Sequence, residues 1–297
     1  MRDSVHDAGL SPARRRLRSF RVPVLVVALL VVLAATRGLN VLAGGNVFVA
    51  LLVGLGTAVA ALACYRWLSR AVEARETITE LSPQGRCPGL VKGGVLGFSL
   101  FTVMILVIGA LGGWADVAWG SPGGLLAAVG AVASIAVNEE LLFRGVVFRI
   151  LEERTGSLIA LPVSSLIFGF THLVNSNATL WGTLALGLEG GLLTGACYVL
   201  SRSLWLPIGL HFAWDFTHIG IFGLPTSSSV QGAESGLLHT TLAGPELLTG
   251  GAFGPEASLI ALLLCLTAMV VVLRRAGRTG GLWPRPSRAD EPGLASY

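Results

Sequence analysis

Eight mostly apolar stretches divide this chain, each close to the roughly 20 residues that a helix needs to cross a bilayer. They lie at about 22–39, 47–66, 93–113, 123–144, 157–174, 180–200, 205–223 and 257–273. In hydrocarbon every backbone N–H and C=O must find its partner within the protein, so only helices or closed barrels can span it. These stretches are about twice the length of a barrel strand, which leaves helices. Composition agrees: 53% of the 297 residues are hydrophobic and 13% are charged, with a mean hydropathy of +0.73. A soluble domain carries about 25% charged residues. The fold class expected is all-α, a polytopic transmembrane bundle of about eight helices. The 39 glycines suit it, because small residues let membrane helices approach closely.

The distribution of basic residues orients the bundle. With both termini in the cytoplasm, all but Arg37 of the 21 lysines and arginines fall on that side, as the positive-inside rule requires. The net charge of +4 is then a matter of topology, and no nucleic-acid partner is expected. The apolar run after the basic start is long for a signal-peptide core and lacks a small-residue cleavage site, so it reads as a retained first helix. The division expected is a basic cytoplasmic segment at 1–21, two helices and a cytoplasmic connector at 22–89, and a membrane domain carrying the polar residues at 90–223. An irregular outer loop and a last helix follow at 224–275, then a disordered cytoplasmic tail at 276–297. Within the connector, the charges around Glu73 to Glu80 suggest a surface helix broken by Ser82-Pro83-Gln84-Gly85. Cys64, Cys87, Cys197 and Cys265 show no paired spacing and read as small hydrophobes rather than a disulfide framework. The location expected is a cell membrane, the inner or plasma membrane, and the Gly, Ala, Leu and Arg usage is that of a high-GC bacterium.

Ionisable groups inside apolar helices are costly unless they are paired or functional. The fourth stretch ends on Asn138-Glu139-Glu140-Leu141-Leu142-Phe143-Arg144-Gly145. Glu140 and Arg144 are four apart and share a helix face, whereas Glu139 is turned about 100° away. This spacing assigns Glu140 to Arg144 and leaves Glu139 free to act on water. Phe168 and His172 share a face of the fifth helix, and His211, Asp215 and His218 form one stripe on the seventh. Glu189 lies in the sixth; it and His218 read first as interhelical hydrogen-bonding groups. Carboxylate and imidazole together can activate water as a general base, or around a divalent metal such as zinc held by Glu139, His172, His211 and Asp215. The sequence leaves both open. It contains no His-Glu-x-x-His helix and no Gly-x-Ser-x-Gly elbow. An aspartyl dyad would need a second intramembrane aspartate beside Asp215.

These residues resemble the CAAX-protease and bacteriocin-processing family of intramembrane proteases, which includes the eukaryotic prenyl-protein endopeptidase. The family pattern is Glu-Glu-x-x-x-Arg, then Phe-x-x-x-His, then His-x-x-x-Asn or Asp. Glu139-Glu140…Arg144, Phe168…His172 and His211…Asp215 match it in order and in helix placement, over about residues 90–220. The resemblance implies that Glu139 is the general base and that His172 positions the water or binds metal. It implies that His211 stabilises the oxyanion or ligates metal, that Asp215 orients or ligates, and that Glu140 with Arg144 shapes the site. Position 215 departs from the prenyl-protease branch, which has Asn there. An ionised Asp cannot donate to an oxyanion, which shifts weight towards ligation or towards orienting the histidine.

The function expected is therefore an intramembrane endopeptidase acting on a membrane-associated or prenylated-like protein or peptide within the lipid bilayer. Two other classes compete. One is a non-catalytic immunity or scaffold protein of the same family, since a fold does not fix a function. The other is an ion-coupled transporter with Glu189, Asp215 and His218 as a relay; the lack of repeat symmetry counts against it.

Overall fold

The computed structural model describes residues 19–224 and 236–285. The described chain is an all-α bundle, with one small sheet. Its helices are α1 (Arg21–Ala43), α2 (Val47–Glu73), α3 (Arg86–Ala110), α4 (Pro122–Leu142), α5 (Arg149–Thr155), α6 (Ser157–Thr171), α7 (Leu180–Leu186), α8 (Leu192–Ser201), α9 (Trp205–Asp215), α10 (Glu246–Thr249) and α11 (Leu259–Arg278). Three π-helical segments interrupt them: Phe143–Phe148 joins α4 to α5, Gly187–Gly191 joins α7 to α8, and Phe216–Ile221 continues α9. The joined helices Pro122–Thr155 and Leu180–Ser201 are interior, with 67% and 72% of their most apolar windows buried. For α1 and α11 the figure is 17%, as for helices that face lipid.

Among the described residues seven helices are long and apolar enough to cross a membrane. The eighth stretch expected, 205–223, is helical but shorter: α9 has 11 residues and its π-helical continuation 6. It packs along α3 through glycines. A Cβ on Gly97 would lie 2.3 Å from the Leu210 carbonyl oxygen, and one on Gly209 would lie 2.4 Å from that of Leu90. This closeness sets the position of His211, one residue beyond Leu210. Gly54 and Gly130 bring α2 and α4 together in the same way, with a Cβ on Gly54 only 2.1 Å from Gly130 carbonyl carbon.

Several boundaries differ from the sequence expectation. The fourth helix does not stop near Arg144; it runs on through the π-segment to Thr155, which leaves Glu139 near its middle rather than at a cytoplasmic end. Arg149, which the sequence places between the fourth and fifth helices, is buried and paired with Glu73, while Arg144 pairs with Glu140 as the i, i+4 spacing expects. The connector holds no separate surface helix. Its first residues extend α2 to Glu73, and two single 3₁₀ turns, Thr79–Leu81 and Pro83–Gly85, lead into α3. Glu80 points inward and accepts hydrogen bonds from Arg75 at 2.6 and 2.5 Å and from the Tyr65 hydroxyl at 2.6 Å.

The outer segment is also more regular than its Gly- and Ser-rich sequence suggests. Leu238–Leu242 pairs antiparallel with Trp114–Trp119, and the chain then returns inward through Gly251–Phe253 and Pro255–Ala257, burying Phe253 and Glu256. The start of the expected disordered tail is ordered: α11 continues to Arg278, and the Trp283 backbone exchanges hydrogen bonds with Ser157 while its ring lies 4.1 Å from the Arg202 guanidinium carbon. The rest of that tail (286–297) and most of the basic N-terminal segment (1–18) lie outside the described residues.

Two predictions follow from packing and charge. Gly97→Val should force α3 from α9 and lower stability by about 1–3 kcal/mol, the range for overpacking, read by unfolding in detergent. Burial by itself would raise the Glu80 carboxyl, but the Arg75 fork and the Tyr65 hydroxyl prevail and hold it below the usual carboxylate range. Its contribution to stability is therefore present at neutral pH and lost as pH falls through the lowered value. Unfolding curves of wild type and Glu80→Gln should diverge at neutral pH, with wild type the more stable, and approach each other below about pH 4.

Candidate active site

α4 delivers Glu139 and Glu140, and the π-segment after it delivers Arg144. His172 stands at the end of α6, where the helix tightens into a 3₁₀ turn, and α9 delivers His211 and Asp215. All six residues meet in one place. Glu140 is fully buried, and its Oε1 accepts from Arg144 Nη1 at 2.8 Å and from His211 Nδ1 at 2.9 Å. Arg144 Nη2 also donates to the Gly191 carbonyl at 3.0 Å. That carbonyl lies in the π-segment Gly187–Gly191, where the ordinary helical bonding pattern is broken and acceptors are available to side chains.

The Arg144 guanidinium carbon sits 4.8 Å from the centre of the Phe168 ring. Phe168 is wedged at 4.9 Å from His172 and 6.3 Å from His211, measured between ring centres. The spacing Phe-x-x-x-His thus places an aromatic support beneath both imidazoles and the arginine.

Glu139 faces the two histidines. Its Oε2 lies 3.9 Å from His172 Nε2 and 3.9 Å from His211 Nε2. These separations are too long for direct hydrogen bonds and suit a bridging water. His172 Nδ1 lies 2.9 Å from the Phe168 carbonyl oxygen, an acceptor only, so Nδ1 carries the proton and a neutral ring offers Nε2 as an acceptor. By the same reasoning His211 Nδ1 donates to the Glu140 carboxylate, and its Nε2 lies 3.4 Å from Asp215 Oδ2.

The strict division of labour between the two glutamates therefore changes. Glu139 faces both histidines as its helical phase predicts, but Glu140 serves His211 as well as Arg144. The sequence could not show this, because the second contact comes from a helix 71 residues away.

Arg37 is the residue that sequence reasoning placed elsewhere. Its Nη2 lies 3.3 Å from Glu139 Oε1 and the side chain is 41% exposed, so this charge, expected at the far end of the first helix, stands at the depth of the site. The only signal in the sequence was that Arg37 broke the positive-inside pattern. Glu256, buried and holding the Trp214 indole N–H at 2.9 Å, was likewise assigned to an exterior loop.

Among the described residues no three His, Cys, Asp or Glu side chains are gathered to hold an ion. Arg37 also sets a positive charge directly on Glu139.

Carboxylates and imidazoles thus converge at the depth of a multi-pass helical bundle. Comparison with known proteins is more specific. Residues 103–217 match the family model described as Rce1-like, type II CAAX prenyl endopeptidase Rce1-like, which is the family that the three motifs resemble. The matched segment contains all six motif residues and omits Arg37 and Glu256. A lipid bilayer and a protein or peptide substrate go with this family of membrane proteases. No curated protein and no solved structure matches the chain.

Removing one partner from a buried ion pair costs about 3–5 kcal/mol, whereas a pair with one half-exposed partner is worth about 0–1 kcal/mol. Glu140→Gln should therefore lower unfolding stability by several kcal/mol, and Glu139→Gln should leave it within about 1 kcal/mol of wild type. Paired denaturation curves in one detergent check both.

Proposed function

We propose that this protein is an intramembrane endopeptidase that hydrolyses a peptide bond of a membrane-associated protein or peptide by means of a water activated by Glu139. The observation that carries the reading is the equal 3.9 Å separation of Glu139 Oε2 from the Nε2 atoms of His172 and His211. One water bridging these three atoms has an acceptor for its proton and a fixed orientation.

Arg37 occupies Glu139 Oε1 and leaves Oε2 for the water. In the proposed step Oε2 takes a proton as the water oxygen attacks the substrate carbonyl carbon. The carbonyl oxygen gains the negative charge, and His211, held as an imidazolium between the Glu140 and Asp215 carboxylates with a proton on each nitrogen, donates from Nε2 to stabilise it. Glu139 then returns its proton to the leaving amine as the C–N bond breaks. His172 keeps the water in line through Nε2. Asp215 and Glu140, one at each nitrogen of His211, hold that ring in place. This gives Asp215 an orienting task, which an Asn could share only in part. No step is routed through a metal.

The test is cleavage of a lipid-anchored peptide by the protein reconstituted in proteoliposomes. Glu139→Gln should lower the rate by at least about 10²-fold, the lower range for loss of a positioned acid–base group. A chelator should leave the wild-type rate unchanged. Full cleavage by Glu139→Gln would overturn the assigned base, and loss of wild-type activity with chelator, restored by zinc, would replace the water-only scheme with a metal centre.

A further inference from the structure

His211 and Asp215 also help to line a pocket that extends to Glu189 and Glu256. Its apolar walls are Leu186, Leu193, Leu210, Phe168 and Trp214. Its polar groups are Glu189, Glu256, Asp215, His211 and Thr194, and among the described residues no lysine or arginine lines it. Asp215 has His211 at 3.4 Å. Glu256 has the Trp214 N–H at 2.9 Å and His218 at 3.7 Å. Glu189 is 1% exposed, and among the described residues neither of its carboxylate oxygens has a hydrogen-bond partner. The interhelical hydrogen bond expected of Glu189 from the sequence is thus not made.

A buried carboxylate with no partner is costly, and it marks where a complementary group is absent. That group must be a cation or a strong donor. An inorganic ion would need several oxygen ligands around it, and no such cluster surrounds Glu189. An ammonium or guanidinium on an aliphatic stem fits better: the stem lies along apolar walls and the charged end meets the acid.

We propose that this cavity is a substrate subsite for a lysine or arginine side chain, with Glu189 as the residue that receives the charge. Its place beside the scissile bond rests on the endopeptidase reading, because the cavity shares His211 and Asp215 with the hydrolytic site; its affinity for an organic cation does not. Glu189 is then a specificity residue, and Glu256 adds to the negative potential from the opposite wall.

The experiment has a binding arm and a cleavage arm, both on the full chain in nanodiscs. In the first, thermal unfolding is followed with n-butylguanidinium, n-butylammonium, n-butanol, sodium chloride and potassium chloride. The two organic cations should raise the midpoint of wild type and of Glu139→Gln, and should fail to do so in Glu189→Gln. Should Glu189→Gln not fold, Glu256→Gln should show a weakened shift. In the second arm, lipid-anchored peptides carry lysine, arginine or norleucine at each position flanking the cleaved bond. At one position the basic peptides should be cleaved about tenfold faster by wild type, the factor that about 1.4 kcal/mol provides. That ratio should fall towards one in Glu189→Gln.

A shift given equally by sodium or potassium would overturn the organic-cation subsite, as would no shift with any cation. Stabilisation by the organic cations without cleavage of any peptide would sink the endopeptidase reading and leave the cation site standing. Cleavage of basic and neutral peptides at equal rates, without a cation-dependent shift, would sink the subsite and leave the endopeptidase reading intact.

Discussion

The Glu140 carboxylate is the constraint on which the rest of the site depends. It is removed from water entirely, and a lone carboxylate there would cost several kcal/mol. One oxygen meets this cost by accepting from Arg144 and His211 together. Arg144 in turn reaches the Gly191 carbonyl, so a single buried charge ties the helix of Glu140 to α9 and to the segment between α7 and α8. The consequence for chemistry is geometric. With Nδ1 of His211 committed to Glu140, Nε2 is the nitrogen that faces Glu139 and Asp215. The group that stabilises the bundle centre therefore also selects which face of the imidazole is available.

Departures from the regular α-helix make this arrangement possible. An uninterrupted helix uses its own carbonyls, and side chains then have few backbone acceptors to bind. The π-segments at Phe143–Phe148 and Gly187–Gly191 relax that pattern beside the site. Gly145 shows the effect, since its carbonyl accepts from both Tyr65 and Arg149. These bonds link the site helix to a second ionic layer in which Arg149 and Glu153 of α5, Glu73 of α2 and Arg21 of α1 join three helices. Glycine contacts complete the arrangement. At Gly97 and Gly209 the backbones of α3 and α9 come within the space of a methyl group, so His211 is carried on a helix with little freedom to shift.

Arg37 and Glu256 come from opposite ends of the chain, outside the segment that matches the protease family. Arg37 meets Glu139 from the first helix, and Glu256 joins His211 in lining one pocket from the segment before the last helix. The matched segment holds the six motif residues, while helices outside it set charges around them.

The sequence by itself determined the membrane bundle, because stretches of about 20 apolar residues admit only helices in hydrocarbon. It also singled out Glu139, Glu140, His172, His211 and Asp215, which the structure brings together, because ionisable groups in apolar helices are costly. The i, i+4 spacing gave the Glu140–Arg144 and His211–Asp215 pairs, since both partners of each lie on one helix and a local period suffices to join them. Contacts between helices were decided only by the tertiary structure. The second partner of Glu140, the approach of Arg37 to Glu139, and the isolation of Glu189 depend on which helix faces are turned together and how closely their glycines let them pack. A linear pattern reports the faces of one helix; it carries no information on the azimuth and depth at which two distant helices meet, and the pairing of buried charges is set by that meeting.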